Sequence, residues 1–227
     1  MSWELLLSEF STCRLEDLPA QLVYTGRKDI KYPMSIRLAE EVLSHLQHDY
    51  LVMSINGKLI QHYATEYFDT PELQFYHDHH RGKFIREKQR IRTYEDGTSF
   101  WEVKKKNNKG QTLKTRTSES NNSSPTLVHQ LRVEYDRITL FSKDYSEKLT
   151  LDMQLQFSRR GESLRKEYVV VMESKGMAHQ RSPFNLLMRE LRIRPSGFSK
   201  YCVGMAMLVP SLKSNNFKEL IRKTLNH

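Results

Sequence analysis

Short segments in which apolar and polar residues alternate fill the middle of the chain. In the stretch 147–157, Leu149, Leu151 and Met153 alternate with Lys148, Thr150 and other polar residues. Successive side chains of a strand point to opposite faces, so a period of two predicts β-strands. By this pattern and the turns that interrupt it, strands are predicted at 51–56, 59–68, 84–94, 98–106, 111–117, 131–141, 147–157 and 167–175.

Helical spacing is found towards both ends of the chain. Residues 1–26 are predicted to form a helical lead, and 36–46 place apolar residues at intervals of three and four. Between these segments, "GRKDIKYPM" predicts a strand that stops at Pro33. Near the other end, Ser182-Pro183 is typical of an N-cap followed by proline at the first helical position. Two more helices are predicted near 199–208 and 216–225.

The order of these elements predicts an α+β, mainly β fold. Many consecutive antiparallel strands with helices at the ends are typical of a sheet closed into a barrel, with helices packed outside it. We expect three parts in sequence: the helical lead 1–26, the main domain 27–210 and a C-terminal helix 211–227.

Charge narrows the class of partner. The chain of 227 residues carries a formal net charge of +9, which favours anionic partners: nucleic acid, phosphorylated molecules or an acidic membrane surface. The two cysteines, Cys13 and Cys202, are far apart and indicate reduced thiols rather than a disulfide framework. No apolar run approaches the roughly 20 residues that a membrane-spanning helix needs, so we expect a soluble, cytoplasmic protein.

Most basic residues keep one parity within each predicted strand. The charged residues that share a face in 84–94, 98–106 and 111–117 are Arg86, Lys88, Arg90, Arg92, Glu102, Lys104, Lys106, Lys114 and Arg116. One interpretation is a solvated outer face over an apolar core. The other is an inverted barrel with a polar interior that an anion fills, because crowded like charges repel one another. Glu102 and Glu173 among these cations fit a divalent cation that bridges protein and phosphate.

Several motifs together resemble a known family. They are "YFDTPELQFYHDHHRGKFIREKQRIRTY", "WEVKKKNNKGQTLKTR", "VMESKG" and "GFSKY". In this order they resemble the VTC domain, the polyphosphate polymerase catalytic domain of the triphosphate tunnel metalloenzyme (CYTH-like) superfamily, from about residue 25 to residue 208. The resemblance implies an eight-stranded antiparallel tunnel with flanking helices. Its lumen is expected to hold a triphosphate or polyphosphate together with Mn²⁺ or Mg²⁺.

The resemblance also implies roles for single residues. Arg90, Arg92, Lys104 and Lys200 are the expected catalytic cations, and Glu173, with Glu102, is the expected metal ligand. The full expected set of phosphate-binding residues is Lys31, Arg90, Arg92, Lys104, Lys114, Arg137, Lys148, Lys175 and Lys200. Lys148 departs from the family, which usually has arginine there, and lysine lacks the bidentate guanidinium fork. "RKDIK" keeps the lysine but not the paired glutamates of the cyclase and phosphatase branches, which favours the polymerase branch.

The function that the resemblance implies is an ATP-dependent polyphosphate polymerase. Two alternatives remain open at this point: a tunnel-type triphosphate hydrolase, and a non-catalytic module that binds polyphosphate or RNA. The expected partners are ATP and polyphosphate, without sequence-specific nucleic acid binding. A membrane partner protein is conceivable, and the sequence leaves the oligomeric state open.

Overall fold

The computed structural model describes residues 3–19, 27–109, 111–118, 126–177 and 181–222. The helices are α1 (Trp3–Ser8), α2 (Ile36–Ser44), α3 (Gln74–His80), α4 (Pro183–Glu190), α5 (Lys200–Leu208) and α6 (Asn215–Leu220). The strands are β1 (Ser11–Arg14), β2 (Arg27–Ser35), β3 (Tyr50–Ser54), β4 (Ile60–Asp69), β5 (Arg86–Tyr94), β6 (Ser99–Lys106), β7 (Thr112–Ser118), β8 (Val128–Ser142), β9 (Glu147–Arg159), β10 (Glu162–Lys166) and β11 (Val169–Met177).

The predicted α+β, mainly β class is confirmed. The strands pair in the order β2–β11–β9–β8–β4–β5–β6–β7, with β1 on β3, β3 on β8 and β10 on β9. Among the strand pairs whose register the structure describes, β1–β3 is parallel and the others are antiparallel. The eight strands of this order agree with the predicted eight-stranded antiparallel sheet, and β1, β3 and β10 beside them bring the sheet to eleven strands. Within the described residues the order is open, because its end strands β2 and β7 do not pair, so the predicted closure is the one detail that differs.

The chain divides into two compact units. The first unit comprises residues 1–61, 136–154 and 167–198, and the second comprises 62–135, 155–166 and 199–227. The long strands β8 and β9 pass from one unit to the other. No helix in the described ranges is long and apolar enough to cross a bilayer.

In the first unit, one face of the sheet is apolar and covered by helices. Side chains from β2, β8, β9 and β11 form one core with those of α1, α2 and α4: Tyr32, Met34, Ile138, Leu140, Leu149, Leu151, Val170 and Met172 from strands, and Leu6, Leu7, Ala39, Val42, Leu43, Phe184 and Met188 from helices. Residues of the other parity in these strands therefore point away from the helices. Lys31, Lys148, Glu173 and Lys175 have that parity.

Hydrogen-bonded caps fix where two of these helices begin. Ser35 Oγ accepts a hydrogen bond from Leu38 N at 3.3 Å at the start of α2. Ser182 Oγ accepts one from Asn185 N at 3.1 Å, and Pro183 follows it. Proline has no N–H to lose at this position. The N-cap and proline start that the sequence predicts for α4 are confirmed.

Two sequence predictions for the first unit are wrong. Strand β2 does not stop at Pro33 but continues to Ser35, with Pro33 opposite Val171 of β11. Within the described residues β2 pairs only with β11, and proline is tolerated on an edge strand because no neighbour needs its N–H. The lead is not one helix: an α-helix at Trp3–Ser8 and a 3₁₀ turn at Leu15–Asp17 are separated by Ser11–Arg14, which pairs with β3 as a strand. Residues 20–26 lie outside the described ranges.

In the second unit, a buried carboxylate joins two helices to the sheet. Asp69, at the end of β4, is fully buried and accepts hydrogen bonds from Phe75 N at 2.8 Å and Tyr76 N at 2.9 Å. Tyr201 of α5 donates to the same carboxylate at 2.6 Å. Gly204 makes the packing of α5 possible, because a Cβ there would lie 2.5 Å from Phe157 of β9. The tail helix is observed at Asn215–Leu220, and 223–227 lie outside the described ranges.

Candidate functional site

A buried carboxylate surrounded by cations occupies the middle of the β5–β6–β7 sheet. The β-ladder places Glu102 of β6 opposite Arg90 of β5, and the Glu102 side chain is only 1% exposed. Arg90 donates from Nε to Oε2 of Glu102 at 2.8 Å, and its Nη2 lies 2.7 Å from the same oxygen as an ion pair. Lys114 Nζ lies 2.5 Å from Oε1, and Arg92 Nη1 lies 3.7 Å from Oε2. We call Arg90, Arg92, Glu102 and Lys114 the Glu102 cluster.

The electrostatics of this cluster keep Glu102 ionised. Burial alone would raise the pKa of the Glu102 carboxyl, but Arg90, Arg92 and Lys114 outweigh burial and lower it to about 2. Burial would lower the pKa of Arg90, which its neighbours Tyr67 and Glu102 instead raise. Burial lowers the pKa of the Lys114 ammonium, against the attraction of Glu102. One negative charge thus faces three cations, so the cluster as a whole carries an excess of positive charge.

Arg92 is the least satisfied cation of the cluster. Its side chain is 10% exposed, and its buried Nε has no hydrogen-bond partner within the part of the chain that the structure describes. Its guanidinium carbon lies 5.7 Å from the centroid of the Tyr63 ring. A buried donor without an acceptor costs free energy. An anion bound beside Arg92 would remove that cost and neutralise the excess charge.

Towards one end of the β5–β6 hairpin, cations face cations. Arg86 lies opposite Lys106, Lys88 lies opposite Lys104, and Lys104 in turn lies opposite Lys114. Like charges directly opposite one another destabilise a sheet. Lys88 Nζ donates to Ser199 Oγ at 2.8 Å, immediately before α5. The predicted lysine Lys200 is the first residue of α5, and its Nζ lies 4.4 Å from the centroid of the Tyr135 ring.

The first unit holds a second group of predicted residues. Glu173 of β11 lies opposite Lys31 of β2, and Lys31 Nζ and Lys175 Nζ each lie 3.2 Å from Oε1 of Glu173. The Glu173 side chain is 12% exposed. Burial lowers the pKa of the Lys175 ammonium, and Glu173 opposes that shift. We call Lys31, Glu173 and Lys175 the Glu173 cluster.

Arg137 and Lys148 lie on the two strands beside this cluster. Arg137 donates to both oxygens of buried Asp152, from Nε at 2.6 Å and from Nη2 at 2.8 Å. Lys148 lies opposite Lys175 in the ladder, and its Nζ lies 5.2 Å from the centroid of the Phe141 ring. The bidentate partner Asp152 was not among the predicted site residues. Its signal is the shared parity of Asp152 and Lys148 along β9.

Most of the predicted residues are therefore gathered into groups within their own unit. In the second unit Arg90, Arg92, Glu102 and Lys114 meet directly, and Lys104 lies beside Lys114 in the ladder. In the first unit Lys31, Glu173 and Lys175 meet directly, with Lys148 opposite Lys175. Lys200 contacts the ring of Tyr135 in the same unit.

The carboxylates differ in how well they fit a metal ion. Among the described residues there is no group of three or more His, Cys, Asp or Glu side chains that would hold a metal alone. Both oxygens of Glu102 are already engaged by cations. The two lysine contacts of Glu173 fall on one oxygen, Oε1. Mg²⁺-like ions are often held by one or two carboxylates together with substrate phosphates, and Glu173 fits that arrangement.

Comparisons with known proteins agree with the sequence motifs. Among curated proteins, none matches the chain. One solved structure that aligns with it is a putative adenylyl cyclase from Hippeastrum described as having a dominant triphosphatase activity. It is 15% identical, with a TM-score of 0.49, and the alignment covers 79% of this chain and 95% of that one. That likeness is too low to assign a fold or an activity.

The profile of the VTC domain matches residues 26–130 and 119–209, which together make up most of the chain. The chain therefore belongs to the VTC domain family.

Proposed function

We propose that this protein is an ATP-dependent polyphosphate polymerase, which transfers the γ-phosphate of ATP to the end of a growing polyphosphate. Membership of the VTC domain family supports this proposal, because the resemblance implies that activity. The structural observation that best supports the proposal is the Glu102 cluster. Three cations meet one carboxylate there, and one of them, Arg92, has a buried donor without an acceptor. Phosphate oxygens supply both the charge and the acceptors that this cluster lacks.

The two arginines of the cluster are suited to different tasks. Arg90 is held by one hydrogen bond and one ion pair to Glu102 and by a hydrogen bond from Nη1 to the Tyr67 hydroxyl, so its guanidinium has a set direction. Arg92 lies farther from Glu102, and its Nε can donate a hydrogen bond to a phosphate oxygen. Phosphoryl transfer depends mainly on positioning and on stabilising charge in the transition state. We assign both residues, with Lys104, Lys114 and Lys200, to binding phosphate oxygens.

In the first unit, we assign Lys31, Arg137, Lys148 and Lys175 to phosphate binding as well, and Glu173 to a divalent cation. A bound Mn²⁺ or Mg²⁺ would supply further positive charge at phosphate oxygens. We assign Glu102 to holding the cations around it rather than to the metal, because both of its oxygens are engaged. The assignment of Glu173 to a metal rests on the family resemblance, and it is supported by the position of this partly exposed carboxylate between Lys31 and Lys175, two of the residues assigned to phosphate binding.

The reaction needs little covalent help from the protein. A terminal oxygen of the polyphosphate, already ionised, forms a bond to the γ-phosphorus of ATP. The bond between that phosphorus and the β–γ bridging oxygen breaks, and ADP leaves with the electron pair. No general base is needed for such a nucleophile. Hydrolysis would require a group that positions the attacking water molecule. The polymerase reaction does not need such a group.

Phosphorus NMR tests the proposal directly. The purified chain is incubated with ATP and Mn²⁺, and spectra are followed over hours. We expect internal-phosphate signals to grow as ADP appears. Orthophosphate without chain signals would indicate a triphosphate hydrolase instead of a polymerase. Unchanged ATP together with measurable polyphosphate binding would indicate a non-catalytic binding module. Arg92→Ala should abolish the chain signals.

A further inference from the structure

The loop between α3 and β5 exposes two adjacent apolar side chains. Phe84 is 72% exposed and Ile85 is 68% exposed, the highest values among the exposed large hydrophobic residues of the described ranges. Both residues immediately precede β5, which begins at Arg86. Exposed apolar residues are ordinary when they occur singly. Two adjacent ones in a short loop require a different explanation.

Hydrogen bonds at the end of α3 hold this loop in place. Gly82 has a φ of 69°, the left-handed conformation that glycine adopts most easily. Gly82 N donates to His79 O at 3.1 Å, and Lys83 N donates to Asp78 O at 3.0 Å. This pair of bonds is the Schellman motif that ends many helices. The motif turns the chain sharply, so that Phe84 and Ile85 follow directly on a fixed turn.

In many Schellman motifs an apolar contact joins the side chains at two positions of the motif, which in this chain are Lys83 and Asp78. These two residues form an ion pair instead, with Lys83 Nζ 2.7 Å from Asp78 Oδ1. Arg86 Nη1 also donates to Lys83 O at 3.3 Å across the loop. The turn is thus closed by polar contacts, and neither Phe84 nor Ile85 is needed to close it.

Cations lie on both sides of the exposed pair. Arg81 and Lys83 precede it and Arg86 follows it, while Asp78 and Glu87 are the nearest acidic residues in sequence. Glu87 faces the other side of β5, where it pairs with Lys105 at 3.1 Å. The loop therefore presents apolar side chains with positive charges at their base. We call residues 81–86 the apolar tip.

We propose that the apolar tip inserts Phe84 and Ile85 into the surface of an anionic lipid bilayer, with Arg81, Lys83 and Arg86 at the level of the lipid phosphates. Interfacial membrane binding combines buried apolar area with attraction between basic residues and anionic lipids. The stems of Arg and Lys side chains lie along the apolar region while their charges stay at the headgroups. A projecting tip suits a lipid surface better than a protein pocket that must match its shape. This proposal is independent of the proposed enzyme activity.

Vesicle co-sedimentation of the full chain tests this proposal. The vesicles are phosphatidylcholine alone or phosphatidylcholine with phosphatidylserine. We expect the wild-type protein to sediment with the anionic vesicles and to bind them more weakly at high salt. With neutral vesicles the protein should remain in the supernatant. The double variant Phe84→Ser/Ile85→Ser should lose binding on the order of a hundredfold, because burial of each side chain contributes roughly tenfold. Leu113→Ser is the matched control, since Leu113 is 65% exposed on β7 and should not matter.

A second measurement separates insertion from attraction by charge alone. Phe84→Trp should show blue-shifted fluorescence on adding anionic vesicles, because the indole enters a less polar medium. Arg81→Gln/Lys83→Gln should weaken binding and reduce its salt dependence. The proposal is overturned if wild type does not bind anionic vesicles. It is also overturned if the Phe84→Ser/Ile85→Ser variant, shown to be folded by circular dichroism, binds them as wild type does.

Discussion

Glu102 and Glu173 are both glutamates on strands, and both are surrounded by basic side chains. Glu102 is 1% exposed and three cations engage its two oxygens, whereas Glu173 is 12% exposed and forms ion pairs with two lysines. Two of the partners of Glu102 are arginines, which stay charged and bind in fixed geometry, while the partners of Glu173 are lysines on flexible stems. The comparison teaches that a carboxylate among cations has two distinct uses. It can hold the cations in position, as we assign to Glu102, or bind an added metal, as we assign to Glu173.

The largest expected effect is the loss of activity in Arg92→Ala. We expect turnover to fall by about a hundredfold or more, because a preorganised cation at the transferred phosphate is removed. The free energy of unfolding should change much less, since the contacts of Arg92 are long ones, at 3.7 Å to Glu102 and 5.7 Å to the centroid of the Tyr63 ring. Initial rates of ADP release and urea unfolding measure the two effects.

Arg132→Ala is the control for that experiment. Arg132 is a strand cation too, but it pairs with Glu66 at 3.2 Å and with Glu134 at 2.9 Å. Its removal should leave the rate unchanged. Equal rate losses in the two variants would show that Arg92 has no special role.

Glu102→Gln and Glu173→Gln should differ in stability. Glu102→Gln should lower the free energy of unfolding by about 3 kcal/mol, because it leaves several partly buried cations without their counter-charge. Glu173→Gln should cost less than about 1 kcal/mol, since its lysine partners are flexible and partly exposed. Urea unfolding of both variants measures the difference. Equal losses would remove the distinction between the two carboxylates.

Acid should reveal the same difference. The pKa of Glu102 is lowered to about 2 in the folded protein, so the stability that it contributes is fully present above its unfolded pKa of about 4.3. That contribution is lost as the pH falls through 4 towards 2. Integrated over the shift it amounts to about 3 kcal/mol. The free energy of unfolding of wild type should therefore approach that of Glu102→Gln over this window, and a constant gap would contradict the assignment.

Metal dependence should single out Glu173. We expect Glu173→Gln to need roughly tenfold more Mn²⁺ for half-maximal rate, because a metal ligand has lost its charge. The measurement is the rate of ADP release against metal concentration at fixed ATP. Glu147→Gln is unsuitable as a control, since Glu147 is a buried acceptor for Tyr50 and Ser174. Glu162→Gln, on exposed β10, serves instead. An unshifted curve for Glu173→Gln would exclude it from the metal role.

The smallest expected effect belongs to Lys148→Arg. Arginine would supply a bidentate fork where the family usually has it, and we expect a change of a fewfold in the Michaelis constant for ATP. Steady-state kinetics measures it. A fall in turnover instead would mean that the packing of Lys148 over the Phe141 ring matters more than its phosphate contacts.

Much of the fold follows from the period of two in the strands. That period identifies nine of the strands and places Arg90, Glu102 and Glu173 on the correct parities, since parity depends on local sequence alone. It misses β1 and β10, which have four and five residues. Each of these strands contains a single apolar residue, so an alternating pattern cannot be recognised. The partners of Glu102 and the pairing of Arg137 with Asp152 could not be predicted, because they depend on register between strands distant in sequence.

The opposed cations of the β5–β6 hairpin have a consequence for how long the protein lasts in the cell. Arg86 facing Lys106 and Lys88 facing Lys104 raise the free energy of the folded state when no anion is bound. Any phosphate compound that binds there shifts the folding equilibrium by mass action, by about 2.7 kcal/mol at a concentration a hundred times its dissociation constant. The unfolded fraction on which proteases act would then fall by roughly a hundredfold. Supply of substrate would thus regulate the abundance of the protein that consumes it.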